Sequence, residues 1–474
     1  MKKLPLHMLG LAVALFSSTA ALALGADLPI PPSGVIGFSA PMMAPDYWIA
    51  RAAAPNALLM SPQQIAALNA RAAADPAWHD ITRLDPALSR AQVQAWLAET
   101  GSGVAQSPVD EAGAPLAAAT RAAINANIGA DQIAPSAPVR YGLSVRRAQL
   151  RLLPTPVKAY PSAELHDFES YQGGILLPGE AVVIAHASVD GQWLFVVSSQ
   201  GPAWVARGDV AEGPAAQVLG YAQRTPFRVV TGDAVRTVFT PEAPALSELQ
   251  LDMGVRLPLA QLAEGDVVNG QVPYLAWTVD LPFRRDDGTL AFKPALVQKI
   301  RDTAPGYLPL TRANIIRQAF KFLGERYGWG HLYNGRDCSG LTSEVYRSMG
   351  VFLLPNAGAQ GQSSGVRHRL FGPGDSHQAR LKAVLAAQPG DLVVVPGHVL
   401  MIIGQVNGEP YVIQDVPYAV FFDRSGKRRM TKVNGVSVTP LLPLLADEQR
   451  TYVDAMTSLV QLGSAESASR KSRP

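Results

Sequence analysis

The sequence of 474 residues predicts a multidomain protein built from three kinds of segment. Helical patterns occur within residues 27–140, and short alternating strand patterns fill residues 141–300. Helical patterns followed by strand patterns occupy residues 301–460. The chain is too long for one ordinary domain, and 48% hydrophobic against 17% charged residues is typical of globular proteins. We therefore predict a mainly helical region, two small β-barrels and an α+β domain, in that order.

Residues 1–26 are predicted to be a secretory signal peptide. Lys2 and Lys3 form a basic start, and an uncharged apolar run from Leu9 to Leu24 follows it. An uncleaved membrane anchor is the alternative, but the run is short for a membrane span. We therefore expect a periplasmic or secreted protein that does not insert stably into a membrane.

Residues 27–140 are predicted to be a mainly helical clip that packs on the rest of the protein. Its first part is apolar and rich in proline, without a clear period. Ser61 and Pro62 then supply a helix cap and a first helical residue, and further helical patterns lie near residues 90–99 and 115–128.

The next two segments are predicted to be small barrels, at residues 141–218 and 219–300. Each contains short runs that alternate apolar with polar residues, separated by turn sequences such as Asp190-Gly191. The two segments are not close sequence repeats, so their common fold is predicted from pattern alone. The α+β domain follows at residues 301–460, and residues 461–474 are predicted to be a disordered tail.

Cys338 is the only cysteine of the chain, so it cannot form an internal disulfide. Irregular Gly-rich sequence precedes it, and Leu341 and Val345 follow at a helical spacing, which predicts that Cys338 begins a helix. Asp337 and Ser339 are good capping residues, and the N–H groups and dipole at a helix start favour a thiolate. An inert core thiol is the alternative, but a loop–helix junction favours a reactive one.

A reactive cysteine needs a base and a group that orients the base. His398 is the candidate base among eight histidines, because it begins a strand directly after a Pro-Gly turn. The next strand offers Gln414 and Asp415 as the orienting group. Strand alternation places these two on opposite faces, and position alone does not choose between them.

The net charge of +3 gives no support for nucleic-acid binding. The cysteine and histidine positions lack metal-ligand spacing, so we expect neither a metal nor a cofactor. We expect the protein to be a monomer.

The segments YGWG, DCSGL, GDLVVVPGHV and YVIQDV resemble the NlpC-type cell-wall cysteine peptidases, a papain-like family. The wider chain resembles the multidomain members, which have an N-terminal helical clip and two bacterial SH3-like barrels before the peptidase. The resemblance implies that Cys338 is the nucleophile, His398 the base and Gln414 the third catalytic residue. The family often has histidine at the third position, so Gln414 is a departure.

The resemblance also implies a substrate. The multidomain members hydrolyse the γ-D-glutamyl–L-diamino acid bond of peptidoglycan stem peptides, and many require a free N-terminal L-Ala because the first barrel closes the cleft. Carried over, Asp337 and Ser339 would face the substrate amine, Tyr327 and Trp329 would line the cleft, and Glu169 would be a second amine-binding acid. A helix cap alone is the alternative role for Asp337, and core packing is the alternative for the two aromatic residues.

One motif departs from the family. Members often carry Leu-Pro-Arg-Asp after the cysteine helix, whereas this chain has Asn356 and Ala357 after the Leu-Pro pair. The contact with the substrate carboxylate is therefore expected to differ. Two other functions stay open: hydrolysis of intact, crosslinked peptidoglycan, and a non-catalytic wall-binding scaffold with a retired site.

Overall fold

A computed structural model describes residues 34–423 and 425–462. The predicted signal peptide and residues 463–474 of the predicted tail lie outside this range. Within the described residues, no helix combines the length and the apolar character that crossing a bilayer requires.

The N-terminal region consists of short helices that pack against the other parts of the protein. Ser61 begins one of them through a capping box, because its Oγ accepts from Gln64 N–H at 3.3 Å and Gln64 Oε1 accepts from Ser61 N–H at 2.8 Å. Trp48 is fully buried in the core of the C-terminal domain. The helices of this region are Pro45–Ile49, Pro62–Ala72, Arg90–Gly101 and Ala118–Asn127.

The first barrel is a seven-stranded antiparallel sheet that curls around an apolar core. Leu150, Val182 and Val196 are fully or nearly fully buried in it and alternate with residues outside that core. In spatial order its strands are Gln172–Leu176, Ala148–Arg151, Gly201–Ala206, Trp193–Ser198, Ala181–Ala187, Arg140–Ser144 and Val210–Gly213.

The middle region surrounds one apolar core with separate small sheets, and a second SH3-like barrel stays a prediction. Val230 and Leu257 from one of these sheets meet Val279 from another in this core. The region runs past the predicted boundary at residue 300, because the strand Thr303–Ala304 pairs with Phe227–Val230. The other strands are Ala234–Arg236, Gln250–Asp252, Arg256–Pro258, Ala276–Arg284 and Leu290–Gln298, and the helix Ala215–Tyr221 precedes them.

The C-terminal domain has the predicted α+β layout, with helices first and an antiparallel sheet after them. Its sheet order is Arg367–Leu370, Ser458–Gln461, Leu392–Val395, His398–Val406, Glu409–Phe422 and Arg428–Pro440. Leu341 and Val345 of the helix Cys338–Arg347 are buried in one core with Met401 and Ile413 of the sheet. This packing sets the start of the cysteine helix beside the start of the His398 strand. The other helices are Arg312–Phe320, Ala357–Gln362, His377–Leu385 and Tyr452–Ala455.

Candidate active site

Cys338 is the first residue of its helix and is only 8% exposed. Asp337 is the N-cap, and its Oδ1 accepts from the Gly340 N–H and from the Ser339 hydroxyl, each at 2.8 Å. Its Oδ2 accepts from the Gly330 N–H at 3.1 Å. Three donors therefore fix the carboxylate of Asp337 beside the sulfur.

The thiol of Cys338 does not have the lowered pKa that a helix start predicts. Burial raises the pKa of the Cys338 thiol well above its ordinary value, and the negative charge of Asp337 adds to the rise. The backbone N–H groups of Val399 and Ser339 interact with the sulfur and oppose the rise. Desolvation outweighs them, so the folded protein favours the neutral thiol.

His398, Gln414 and Thr439 form a hydrogen-bonded row across three neighbouring strands. His398 Nε2 lies 2.9 Å from Gln414 Oε1, and Gln414 Nε2 donates to Thr439 Oγ1 at 2.7 Å. Because the amide nitrogen faces Thr439, its carbonyl oxygen faces the imidazole, and Nε2 of His398 is the donor of that pair. The Nδ1 atom is then the ring's acceptor.

Burial lowers the pKa of His398 to about 4, and the Gln414 hydrogen bond and the charge of Asp337 only partly oppose this. The imidazole is therefore neutral at pH 7. The interaction of the Cys338 sulfur with the Val399 N–H places the thiol next to the residue that follows His398. A neutral Nδ1 beside a buried thiol can accept its proton during an attack on a carbonyl.

Asp415 lies on the other face of the strand and does not contact His398. It is fully buried, and neither carboxylate oxygen has a hydrogen-bond partner among the described residues. Burial raises the pKa of Asp415 to about 9, and the charges of Asp337 and Glu325 add to this rise. Of the two residues that the sequence left open, Gln414 therefore contacts the imidazole and Asp415 does not.

An aromatic wall formed by two domains lies beside the cysteine helix. Tyr327 is buried and Trp329 is 37% exposed. Phe168 of the first barrel packs edge-on against both rings, with centroid distances of 6.0 Å to Tyr327 and 5.3 Å to Trp329. The wall therefore exists only where the barrel and the C-terminal domain meet.

Glu169 has a different placement from the one expected of an amine-binding acid. It is fully buried inside the barrel, paired with Arg151, and its Oε1 accepts from the N–H groups of Ala159 and Tyr171 at 3.0 and 3.1 Å. Both carboxylate oxygens are therefore bonded inside the barrel, where the buried arginine needs a fixed partner. We correct that assignment: Glu169 is a structural residue.

Asp167, two residues earlier, is the acid of this segment that faces the C-terminal domain. Its oxygens lie 3.5 Å from Arg326 Nη2 and 3.9 Å from Lys432 Nζ. Sequence reasoning missed Asp167, Phe168 and Thr439. The first two adjoin the predicted Glu169, but only the packing of the barrel tells which of these neighbours points outward.

A cysteine at a helix start and a histidine held by an amide on an antiparallel sheet define a cysteine peptidase of α+β, papain-like fold. The comparisons with known proteins agree. The NlpC/P60 family matches residues 324–415, and the SH3 domain of the SH3b1 type matches residues 158–206. The chain thus carries an NlpC/P60 domain, and an SH3 domain of the SH3b1 type precedes it. The NlpC/P60 family is a family of cysteine peptidases.

Solved structures of NlpC/P60 proteins match this chain at low sequence identity. An NlpC/P60 endopeptidase from Photobacterium damselae subsp. piscicida is 15% identical, with 85% of this chain and 93% of that chain covered and a TM-score of 0.66. An NlpC/P60 family protein from Bacillus cereus is 16% identical, with 68% of this chain and 100% of that chain covered and a TM-score of 0.44. The first likeness shows a shared fold. No curated protein matches the sequence.

Proposed function

We propose that this protein is an exported endopeptidase that hydrolyses the γ-D-glutamyl–L-diamino acid bond of peptidoglycan stem peptides with a free N-terminal L-Ala. The observation that carries the proposal is the 2.9 Å contact between His398 and Gln414, beside a thiol at a helix start. The contacts of Gln414 with His398 and Thr439 hold the imidazole in one orientation, which a catalytic base requires.

In the proposed reaction the Cys338 sulfur attacks the γ-carbonyl carbon of D-Glu. Nδ1 of His398 takes the thiol proton and delivers it to the amine of the departing diamino acid, which leaves a thioester on Cys338. His398 then removes a proton from water as the water attacks the thioester, and returns it to the sulfur. The products are a free γ-carboxyl group, a free amine and the original thiol.

Charge that develops on the carbonyl oxygen needs donors that are already in place. The backbone N–H of Cys338, at the start of its helix, is the proposed donor, because the first N–H groups of a helix have no partner within it. The neutral imidazole that the low pKa of His398 maintains is the form that acts as a base.

The amine end of the substrate is proposed to bind between the two domains. Asp337 supplies a carboxylate fixed by three donors, Ser339 lies against it, and Tyr327 and Trp329 supply an aromatic wall. We assign the second acid to Asp167 in place of Glu169, because Asp167 adjoins Phe168 of this wall and its oxygens lie near Arg326 and Lys432 of the C-terminal domain. A buried ammonium group needs such carboxylate partners.

Replacement of the nucleophile tests the proposal. Cys338→Ala is expected to abolish release of the diamino acid from L-Ala-γ-D-Glu-diaminopimelate. Chromatography of the products measures this release. His368→Ala is the matched control, because His368 lies on an outer strand and its ring is hydrogen-bonded to the nearby Val366 carbonyl oxygen, away from Cys338 and His398. Cleavage by Cys338→Ala at the wild-type rate would end the cysteine-peptidase assignment.

The substrate is tested by comparing three materials with the same enzyme. Free tripeptide is expected to be cleaved, whereas N-acetylated tripeptide and whole sacculi are expected to be poor substrates, because their stem peptides lack a free amine. Release from sacculi as fast as from the free tripeptide would instead favour an enzyme of the intact wall.

A further inference from the structure

The loop that leads into Cys338 has an unusual backbone. In this nucleophile loop (residues 328–336), Gly330 has φ 54°, His331 has φ 65°, Tyr333 has φ 56° and Asn334 has φ 60°. Three of these residues carry side chains, for which the left-handed region costs on the order of 1 kcal/mol each. The conformation therefore persists only if contacts from outside the loop hold it.

These contacts come from the two preceding domains. Gln172 of the first barrel is 3% exposed, and its Nε2 donates to the Gly330 carbonyl at 2.8 Å and to the Gly174 carbonyl at 2.7 Å. One amide group thus joins the barrel's own backbone to the backbone of the nucleophile loop.

A buried ion pair holds the other end of the loop. Arg147 of the first barrel donates from Nη2 to the Gly335 carbonyl at 2.8 Å and from Nε to Asp252 at 2.8 Å. Asp252 belongs to the middle region, and its side chain is only 1% exposed. The planar fork of arginine is suited to making both contacts at once. One guanidinium group therefore links the first barrel, the middle region and the C-terminal domain at the nucleophile loop.

A reciprocal amide pair adds a third contact. Gln250 and Asn334 donate to each other at 2.9 Å in both directions. Asn334 is one of the residues in the left-handed region, so this pair holds its side chain where the backbone is strained.

The loop transmits this support to the catalytic end of the helix. The Gly330 N–H donates to Asp337 Oδ2 at 3.1 Å, and Asp337 Oδ1 caps the helix that begins at Cys338. Gln172 therefore reaches the nucleophile through two hydrogen bonds, one on each side of Gly330.

We propose that Gln172, Arg147 and Gln250 are positioning residues, through which the two preceding domains hold the nucleophile loop in its catalytic conformation. We call these three residues the loop anchors. The proposal rests on the proposed function, because its assay measures cleavage of the tripeptide. By this proposal the preceding domains are parts of the active site, and the NlpC/P60 domain alone is poorly active. A misplacement of about 1 Å in such a site lowers a rate by up to about a hundredfold.

Gln172→Met in the full chain is the main test. Methionine has a similar length and lacks the amide donors, and the lost Oε1 has no partner among the described residues. We expect kcat to fall at least tenfold on the tripeptide and KM to rise, because Asp337 and Cys338 both shift. KM does not depend on the fraction of folded enzyme, so a rise in KM separates positioning from a loss of stability.

Two further variants complete the experiment. Gln250→Ala removes the amide pair at a half-buried site, so it is expected to fold normally and lower kcat severalfold. Glu180→Gln is the control, because Glu180 pairs with Arg347 at 2.7 Å across the same domain boundary without touching the nucleophile loop. Wild-type kcat and KM in both anchor variants would overturn the proposal. A wild-type enzyme that fails to cleave the tripeptide would instead overturn the proposed function, and iodoacetamide labelling of Cys338, the chain's only thiol, would still compare the anchor variants with the control.

Discussion

Thr439 accepts a hydrogen bond from Gln414 Nε2 at 2.7 Å, and this contact decides which end of the amide faces His398. Both Gln414 and Thr439 are buried, so water does not replace the contact if it is lost. The orientation of the base therefore depends on a hydroxyl group two strands away from it.

Thr439→Val should lower kcat/KM about threefold to tenfold while leaving the fold intact. Valine keeps the shape and removes the acceptor, so the Gln414 N–H is left buried without a partner at a cost of about 1–3 kcal/mol. Steady-state kinetics on the tripeptide measure the effect. Thr439→Ser keeps the hydroxyl and should retain most of the activity, so equal losses in the two variants would contradict this role.

Gln414→Glu should move the acid limb of the pH profile of kcat/KM to higher pH by about one unit or more. The neutral imidazole is the active base, so activity is lost as pH falls through the pKa of His398, which is about 4. A carboxylate that accepts from Nε2–H stabilises the charged imidazole and raises that pKa. Gln405→Glu makes the same charge change on the exposed end of the His398 strand, and an equal shift there would show that the effect is not local.

Asp415→Asn should stabilise the protein at neutral pH by about 1–3 kcal/mol. The pKa of Asp415 is raised to about 9 in the folded state, from about 4 in the unfolded state. Between these values the unfolded chain loses the proton and the folded chain keeps it, so the wild type loses stability as pH rises. The asparagine variant has no such loss.

Urea unfolding of both proteins at pH 4, 6 and 8 measures this difference. The gap in the free energy of unfolding should widen with pH and be smallest at pH 4. A constant gap would mean that Asp415 is ionised in the folded protein and has a partner there.

Asp167→Asn should raise KM for the free-amine tripeptide about tenfold, which corresponds to about 1.4 kcal/mol, with little change in kcat. The reason is that Asp167 would contact the substrate amine and not the reacting atoms. Discrimination against the N-acetylated tripeptide should shrink by the same factor.

Glu169→Gln provides the contrast. It breaks the buried pair with Arg151, so it should lower the free energy of unfolding by about 3 kcal/mol and leave KM unchanged. Thermal melts and steady-state kinetics on the two variants give opposite patterns if the assignment is correct. A raised KM in Glu169→Gln with an unchanged melting temperature would reverse it.

Short-range patterns in the sequence predict where the two candidate catalytic residues lie in the secondary structure. The spacing of Leu341 and Val345 places Cys338 at a helix start, and the Pro-Gly turn places His398 at a strand start, as the structure has them. Each depends on a few neighbouring residues, and local backbone preference together with apolar periodicity is enough to predict them.

Long-range burial could not be read in the same way. The helix start predicts a lowered pKa for Cys338, but burial in the core of the domain desolvates the thiol and raises its pKa. Likewise, the sequence pointed to Glu169 as an acid of the site, and only the closure of the barrel turns Glu169 inward toward Arg151 and Asp167 outward toward Arg326.

The sequence by itself determined that a small β domain precedes the last domain, that the last domain is of the α+β class, and that Cys338 and His398 are a candidate pair. The tertiary structure decided which neighbour contacts His398, which acid pairs with the C-terminal domain, and that side chains of two other domains contact the nucleophile loop. The physical reason is range: helix and strand starts follow from adjacent residues, whereas hydrogen bonds such as Gln172 to Gly330 join residues 158 positions apart and exist only once the chain has folded.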